Sequence, residues 1–179
     1  EYAKNKGRKK VTLVHKANIL KFTCGLFMEV GEEISKDYPE IEYEDLIVDN
    51  MAMQMVLQPE QFDVIVTTNL FGDILSDLAS GLVGGLGLTG AANIGDDAAM
   101  FEAVHGSAPD IAGQNKANPI AFLLSALMML EHIGEDDLAD RIRQAVYYTL
   151  ENKEVCTPDI GGSGSTTSFT QAVCYNLRK

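Results

Sequence analysis

Cysteine and positive charge are both scarce in this sequence, and each scarcity excludes something. The three cysteines, Cys24, Cys156 and Cys174, are odd in number, widely spaced and without a CxxC pair. Neither a disulfide framework nor a zinc site is indicated, and a reducing compartment is expected. Only 14 lysines and arginines stand against 26 aspartates and glutamates, giving a net charge of -12 and a pI near 4.5. Such a field attracts neither nucleic acid nor an anionic membrane surface. The one basic run, Lys4 to Lys10, reads as a solvated turn between a helix end and a strand. No stretch reaches the roughly 18 apolar residues that span a bilayer, and no signal-peptide pattern opens the sequence. The longest apolar run, PIAFLLSALMML, has the length of a buried helix.

What is present is globular in composition, with 46% hydrophobic and 22% charged residues. A length of 179 residues suits one ordinary domain or parts of two. The opening EYAKNKG reads as the tail of a helix that starts upstream, so a fragment is expected.

The chain is organised around Phe62 to Asp77, where the apolar strand FDVIVTTN runs directly into the helix LFGDILSD. Asp73 and Asp77 lie four residues apart and share one helix face, with Ile74, Leu75 and Leu78 expected inward. Like charges so placed repel by a few tenths of a kcal/mol, and a hard divalent cation turns that repulsion into a binding site. Spacing alone leaves the other reading open, in which Asp73 favours a helix N-terminus and Asp77 is solvated.

Upstream, KKVTLV reads as a strand that delivers His15, Lys16, Ala17 and Asn18 to the point where it stops, the usual place for ligands in open α/β sheets. Residues 22–34 form an amphipathic helix with Phe22, Leu26, Val30 and Ile34 on one face. DLIVDN is a second short strand ending on Asp49, followed by the helix NMAMQMVLQP, whose methionines suit core or subunit-interface packing. Strand and helix thus alternate three times, the signature of a mostly parallel sheet covered by helices.

Past Ser80 the texture changes to GLVGGLGLTGAANIG. Gly85, Gly87 and Gly90 match the dinucleotide fingerprint, but a helix precedes them and a loop is expected after them, so the match is rejected. The glycines are read as a connector through which the backbone passes closely between packed elements. A short strand, MFEAV, then enters the long loop of residues 101–119, closed by Asn118-Pro119 as a helix start. His105, Gly106 and Ser107 offer backbone amides, and Asp110 can accept from a ribose diol; a surface loop without a ligand is the equal alternative. Helices over Pro119 to His132 and Asp136 to Glu151, the latter with Leu138, Ile142, Ala145 and Val146 inward, and a final helix capped by Thr166 complete the chain.

Five segments, VHKANILKFT, VDNMAMQMV, TTNLFGDILSDLASGLVGGLG, EAVHGSAPDIAGQNKANP and TPDIGGSGSTT, resemble in order and spacing the C-terminal half of a decarboxylating β-hydroxyacid dehydrogenase. That family comprises the isocitrate, 3-isopropylmalate and homoisocitrate dehydrogenases, and the resemblance covers essentially the whole chain. It implies an α/β fold of two lobes, with residues 1–82 in a small, dimer-forming domain and 83–179 in a large domain on the NAD side. It implies oxidation of a 2-hydroxy acid by NAD with Mg2+ or Mn2+, then loss of the β-carboxylate. Asp73 and Asp77 match the family's metal carboxylates, and Asp49 a third that comes from the partner subunit of a homodimer or higher oligomer. Lys16 matches the lysine of proton transfer across that interface, and Asn18 a substrate or nicotinamide contact. Glu102, His105, Gly106, Ser107, Ala108, Asp110 and Asn118 match the adenosine-binding segment. Asp110-Ile111 stands where NADP-using members carry Lys-Tyr, so NAD is expected. HKANILKFT and GQNKANP favour isocitrate, ahead of homoisocitrate and isopropylmalate. The upstream half would supply the arginines that bind the substrate carboxylates, so no turnover is expected from this chain alone. The cytoplasm is the expected location, or the mitochondrial matrix for a eukaryotic source. From a different class, a non-catalytic regulatory subunit shares the fold but loses catalytic groups, and a separately folding nucleotide-binding fragment is a third reading.

Overall fold

The computed structural model describes residues 1–178. The chain divides into two compact units, Glu1–Leu82 and Val83–Lys179.

The first unit is built on three parallel strands in the order β2-β1-β3. The central strand β1 (Lys10–His15) follows a short helix α1 (Tyr2–Asn5), and β2 (Glu42–Ile47) and β3 (Val64–Thr67) flank it. Thr12, Leu13, Val14 and His15 are all buried, as befits a central strand with helices on both faces. Helix α2 (Thr23–Ser35) lies on the Leu13 face and approaches so closely at Gly31 that a Cβ there would sit 2.2 Å from Leu13 Cδ1. On the other face Val14 packs with Met51 and Met55 of α3 (Val48–Leu57) and Leu75 of α4 (Asn69–Val83). The methionines therefore divide as packing requires: Met51 and Met55 are core, while Met53, on the opposite face of the helix, is exposed.

Several expectations change here. The stripe Phe22, Leu26, Val30 and Ile34 is exposed, with Phe22 at 92%, because α2 meets the sheet at Gly31, on the same helix face as the buried Cys24, instead. Val30 and Ile34 border an apolar hollow of about 480 Å³ that also touches Val11, Leu13, Val64 and Val66. Ile74 is 57% exposed, so only Leu75 and Leu78 of its trio turn to the core. Asp49 lies in the first turn of α3, because β2 already ends at Ile47.

The second unit is a β-hairpin under helices. The segment read as a glycine connector contains strand β4 (Gly90–Ile94), which pairs antiparallel with β5 (Ala99–Ala103). Small residues hid this strand, since Gly-Ala-Ala-Asn carries little β propensity and is held by its partner. Close approach does hold at Gly90, whose Cβ would meet Ser125 N at 2.8 Å on α5 (Ile120–His132). Gly90 opens a strand and no helix, so the phosphate geometry of the fingerprint is absent there. Helices α6 (Asp136–Leu150) and α7 (Thr166–Asn176) enclose a core of Ile120, Ala145, Val146, Cys156, Phe169 and Val173. Leu138 is 37% exposed and Ala139 takes its inward place. Ser165, not Thr166, caps α7: its Oγ accepts from Ser168 N, and Ser168 Oγ accepts from Ser165 N in return.

Candidate functional site

Because the three strands are parallel and in register, with His15 beside Ile47 and Val14 beside Thr67, they all end at one edge of the sheet. Thr67 Oγ1 donates to Val14 O at 2.7 Å and fixes the third strand end to the first. The residues following each strand therefore emerge side by side: Lys16 after β1, Asp49 after β2, and α4 after β3. Lys16 Nζ donates to Asp49 Oδ1, with the lysine side chain 25% exposed and the carboxylate 69%. This hydrogen bond, together with the backbone at the start of α3, holds the Asp49 carboxyl below the usual carboxylate range. A cation thus stands beside an open, ionised carboxylate at the end of the central strand. Asn18 is exposed on the turn just beyond.

Asp73 and Asp77 project one helical turn apart from α4, and both are exposed. They offer hard oxygen donors of the type magnesium or manganese takes, with room for water and substrate. Among the described residues no three His, Cys, Asp or Glu side chains gather closely enough to hold a metal ion. Asp49 therefore pairs with Lys16 in this chain and does not complete a triad with Asp73 and Asp77.

In the second unit the loop after β5 is fastened at both ends and open in the middle. At its start, Ser125 Oγ donates to Glu102 O at 2.6 Å, and Asn93 Nδ2 donates to Glu102 Oε1 at 3.0 Å. At its end, Asn115 Oδ1 accepts from Thr167 N and Oγ1, and Thr166 N donates to Asn115 O. Between these ties His105, Gly106, Ser107, Ala108 and Asp110 are all exposed. Ala108 holds the left-handed conformation at φ 41°, which costs of order 1 kcal/mol for a residue with a Cβ. It starts the tight turn Pro109–Ile111, which carries Asp110.

Asn118 differs from the rest of this set. It is buried; its Oδ1 accepts from Ile120 N and starts α5, and its Nδ2 donates to Asp159 Oδ2 at 2.9 Å. Its side chain is spent within the unit, so only its backbone is left to meet a ligand. Sequence reasoning missed Asp159 in this role; it placed His15 at a strand end without a partner and passed over Asp45, which lies inside β2 and carried no signal of its own.

A family profile described as isocitrate/isopropylmalate dehydrogenase matches residues 1–173. The chain is 56% identical over 176 residues to an isocitrate/homoisocitrate dehydrogenase of Thermus thermophilus, covering 98% of this chain and 52% of that one. To a 3-isopropylmalate dehydrogenase of Archaeoglobus fulgidus it is 54% identical over 177 residues, covering 99% and 54%. The crystal structure of isocitrate dehydrogenase from Methylococcus capsulatus superposes with a TM-score of 0.95 at 60% identity, over 99% of this chain and 53% of that one. The chain thus spans about half the length of the curated relatives it matches. No helix among the described residues is long and apolar enough to cross a membrane. With a profile match over nearly its full length and a shared fold at high identity, the chain belongs to the isocitrate/isopropylmalate dehydrogenase family.

Proposed function

We propose that this chain carries the metal and NAD side of an enzyme that oxidises isocitrate to 2-oxoglutarate and carbon dioxide. The observation that carries the reading is the pairing of Lys16 with Asp49 at the sheet edge while Asp73 and Asp77 stand as a separate exposed pair. That separation suits an active site shared between two copies, with Asp73 and Asp77 from one and Lys16 and Asp49 from the other. When bound, a divalent ion supplies Lewis-acid polarisation of the hydroxy acid, and NAD accepts the hydride. Asp73 and Asp77 would hold the ion with Asp49 of the second copy, Lys16 would move the proton at the substrate hydroxyl, and Asn18 would orient the substrate. The loop of Glu102, His105, Gly106, Ser107, Ala108 and Asp110, with the backbone of Asn118, receives the adenosine. Asp110 accepts from a free ribose 2′-hydroxyl and repels a 2′-phosphate, which favours NAD over NADP.

The test is NADH formation with isocitrate, NAD and magnesium, repeated with homoisocitrate and isopropylmalate, using this chain alone and the enzyme that carries it. Isocitrate is expected to be the fastest substrate, homoisocitrate next, and the chain alone is expected to turn over none of them. Preference for isopropylmalate would move the assignment to the other branch of the family. Silence with all three would favour a non-catalytic regulatory subunit, a reading against which the joint presence of Lys16, Asp49, Asp73 and Asp77 speaks.

A further inference from the structure

The last residue of β1, His15, is 4% exposed and makes two hydrogen bonds that run in opposite senses along the chain. Its Nδ1 lies 2.9 Å from Ala17 N, and its Nε2 lies 2.9 Å from Asp45 Oδ2. A backbone N–H can only donate, so Nδ1 must be the unprotonated nitrogen and Nε2 must carry the proton that goes to Asp45. Asp45, on the neighbouring strand, thus selects the tautomer that lets the imidazole cap the turn.

What the cap holds is Lys16. The carbonyl of Lys16 accepts from Ile19 N at 3.0 Å and Leu20 N at 2.8 Å, and the next N–H, that of Ala17, rests on the imidazole. The backbone on the C-terminal side of Lys16 is therefore bound on both its carbonyl and its following amide. Its side chain leaves this fixed base to reach Asp49. A freely turning base would spread Nζ over many positions, because lysine has a long stem and roughly 2 kcal/mol of rotamer entropy.

We infer that His15 and Asp45 are positioning residues for Lys16, with Nδ1 of His15 fixing the turn and Asp45 fixing the tautomer. The inference rests on the proposed role of Lys16 in proton transfer, and its test has an arm that needs no turnover. Two isosteric variants separate the two bonds: His15→Asn places an amide oxygen where Nδ1 stands and keeps the cap, whereas His15→Gln places its amide nitrogen near Nε2 and keeps only the Asp45 contact. Both are made in the enzyme that carries this chain, and KM and kcat are measured together with acylation of Lys16 by an amine reagent, read by mass spectrometry. His15→Gln should lower kcat about tenfold or more, leave KM for NAD unchanged and raise Lys16 acylation severalfold, because small displacements of a reacting group are costly. His15→Asn should stay within a few-fold of the parent on both readouts. Asp45→Ala keeps the imidazole but frees its tautomer, and should shift both readouts in the direction of His15→Gln by less; it decides the matter if a His15 variant fails to fold. Equal losses in His15→Asn and His15→Gln, or Lys16 acylation unchanged in His15→Gln and Asp45→Ala, would overturn the inference. Changed acylation in a protein with no turnover would uphold the positioning and sink the assigned activity instead.

Discussion

The two units use their residues in opposite ways. In the first, the proposed chemistry hangs on side chains: Lys16, Asp49, Asp73 and Asp77 rise from strand ends and a helix face, while Phe22 and Leu26 stand in the open. In the second, six buried residues from three helices and the turn before α7 form the core, and the candidate ligand surface is a loop offering mainly backbone and the carboxylates of Glu102 and Asp110. Changes in the first unit should therefore strike turnover, and changes in the second should strike stability or cofactor affinity.

The largest expected effect lies in the second unit's core. Phe169 is fully buried, so Phe169→Ala should cost about 3–5 kcal/mol in urea unfolding. Phe22→Ala on the open face of the first unit should cost under about 0.5 kcal/mol. A large cost at Phe22 would show that its face is covered in solution and would break the contrast.

Next comes the proposed metal pair. Asp73→Asn or Asp77→Asn should lower kcat/KM by about a hundredfold or more and raise the magnesium needed for half-maximal rate, since on the proposed reading each removes a charged ligand from a small set. Equal rates at all magnesium concentrations would remove these residues from the site.

Cofactor choice is a smaller effect. Asp110→Ala should raise KM for NAD about tenfold with kcat little changed, the loss of the one charge-assisted hydrogen bond proposed to the ribose. The same change should narrow the preference for NAD over NADP, measured as the ratio of kcat/KM values.

The smallest effect concerns Asp63, at the start of β3. Its Oδ2 accepts from Lys9 N at 2.7 Å and its Oδ1 from Arg8, and these donors hold its carboxyl below the usual range. A folded value below the unfolded one stabilises at and above the ordinary carboxylate pKa, and the gain disappears as pH falls through the folded value. The urea midpoint should thus fall more steeply in the parent than in Asp63→Asn below about pH 4, and the two should run parallel from there to neutrality.

The alternation of apolar strand and helix was legible through α4 because strands with β-branched runs and helices of 3.6-residue period leave distinct patterns. What the pattern could not give was which face would find a partner. Phe22 to Ile34 reads as an inward stripe, yet α2 packs by its Gly31 face, and Ile74 and Leu138 each yielded to a neighbour one residue on. Strand β4 was hidden because Gly90 to Asn93 pairs for reasons found in β5 and Ser125, not in its own residues. For the candidate site, carboxylate spacing on α4 was readable, but the Lys16 to Asp49 contact spans 33 positions and follows only from strand register. The His15 cap had no sequence signal beyond the residue's place at a strand end.

The most direct test of the proposed shared site is to co-express two inactive copies of the enzyme, one with Lys16→Ala and one with Asp73→Asn. Each homodimer lacks a needed group in both sites. In the mixed dimer one site draws Asp73 from the first copy and Lys16 from the second, so a random mixture should recover roughly a quarter of parental turnover. A mixture as inactive as either variant alone, with dimers formed, would mean that each copy completes its own site and would contradict the account.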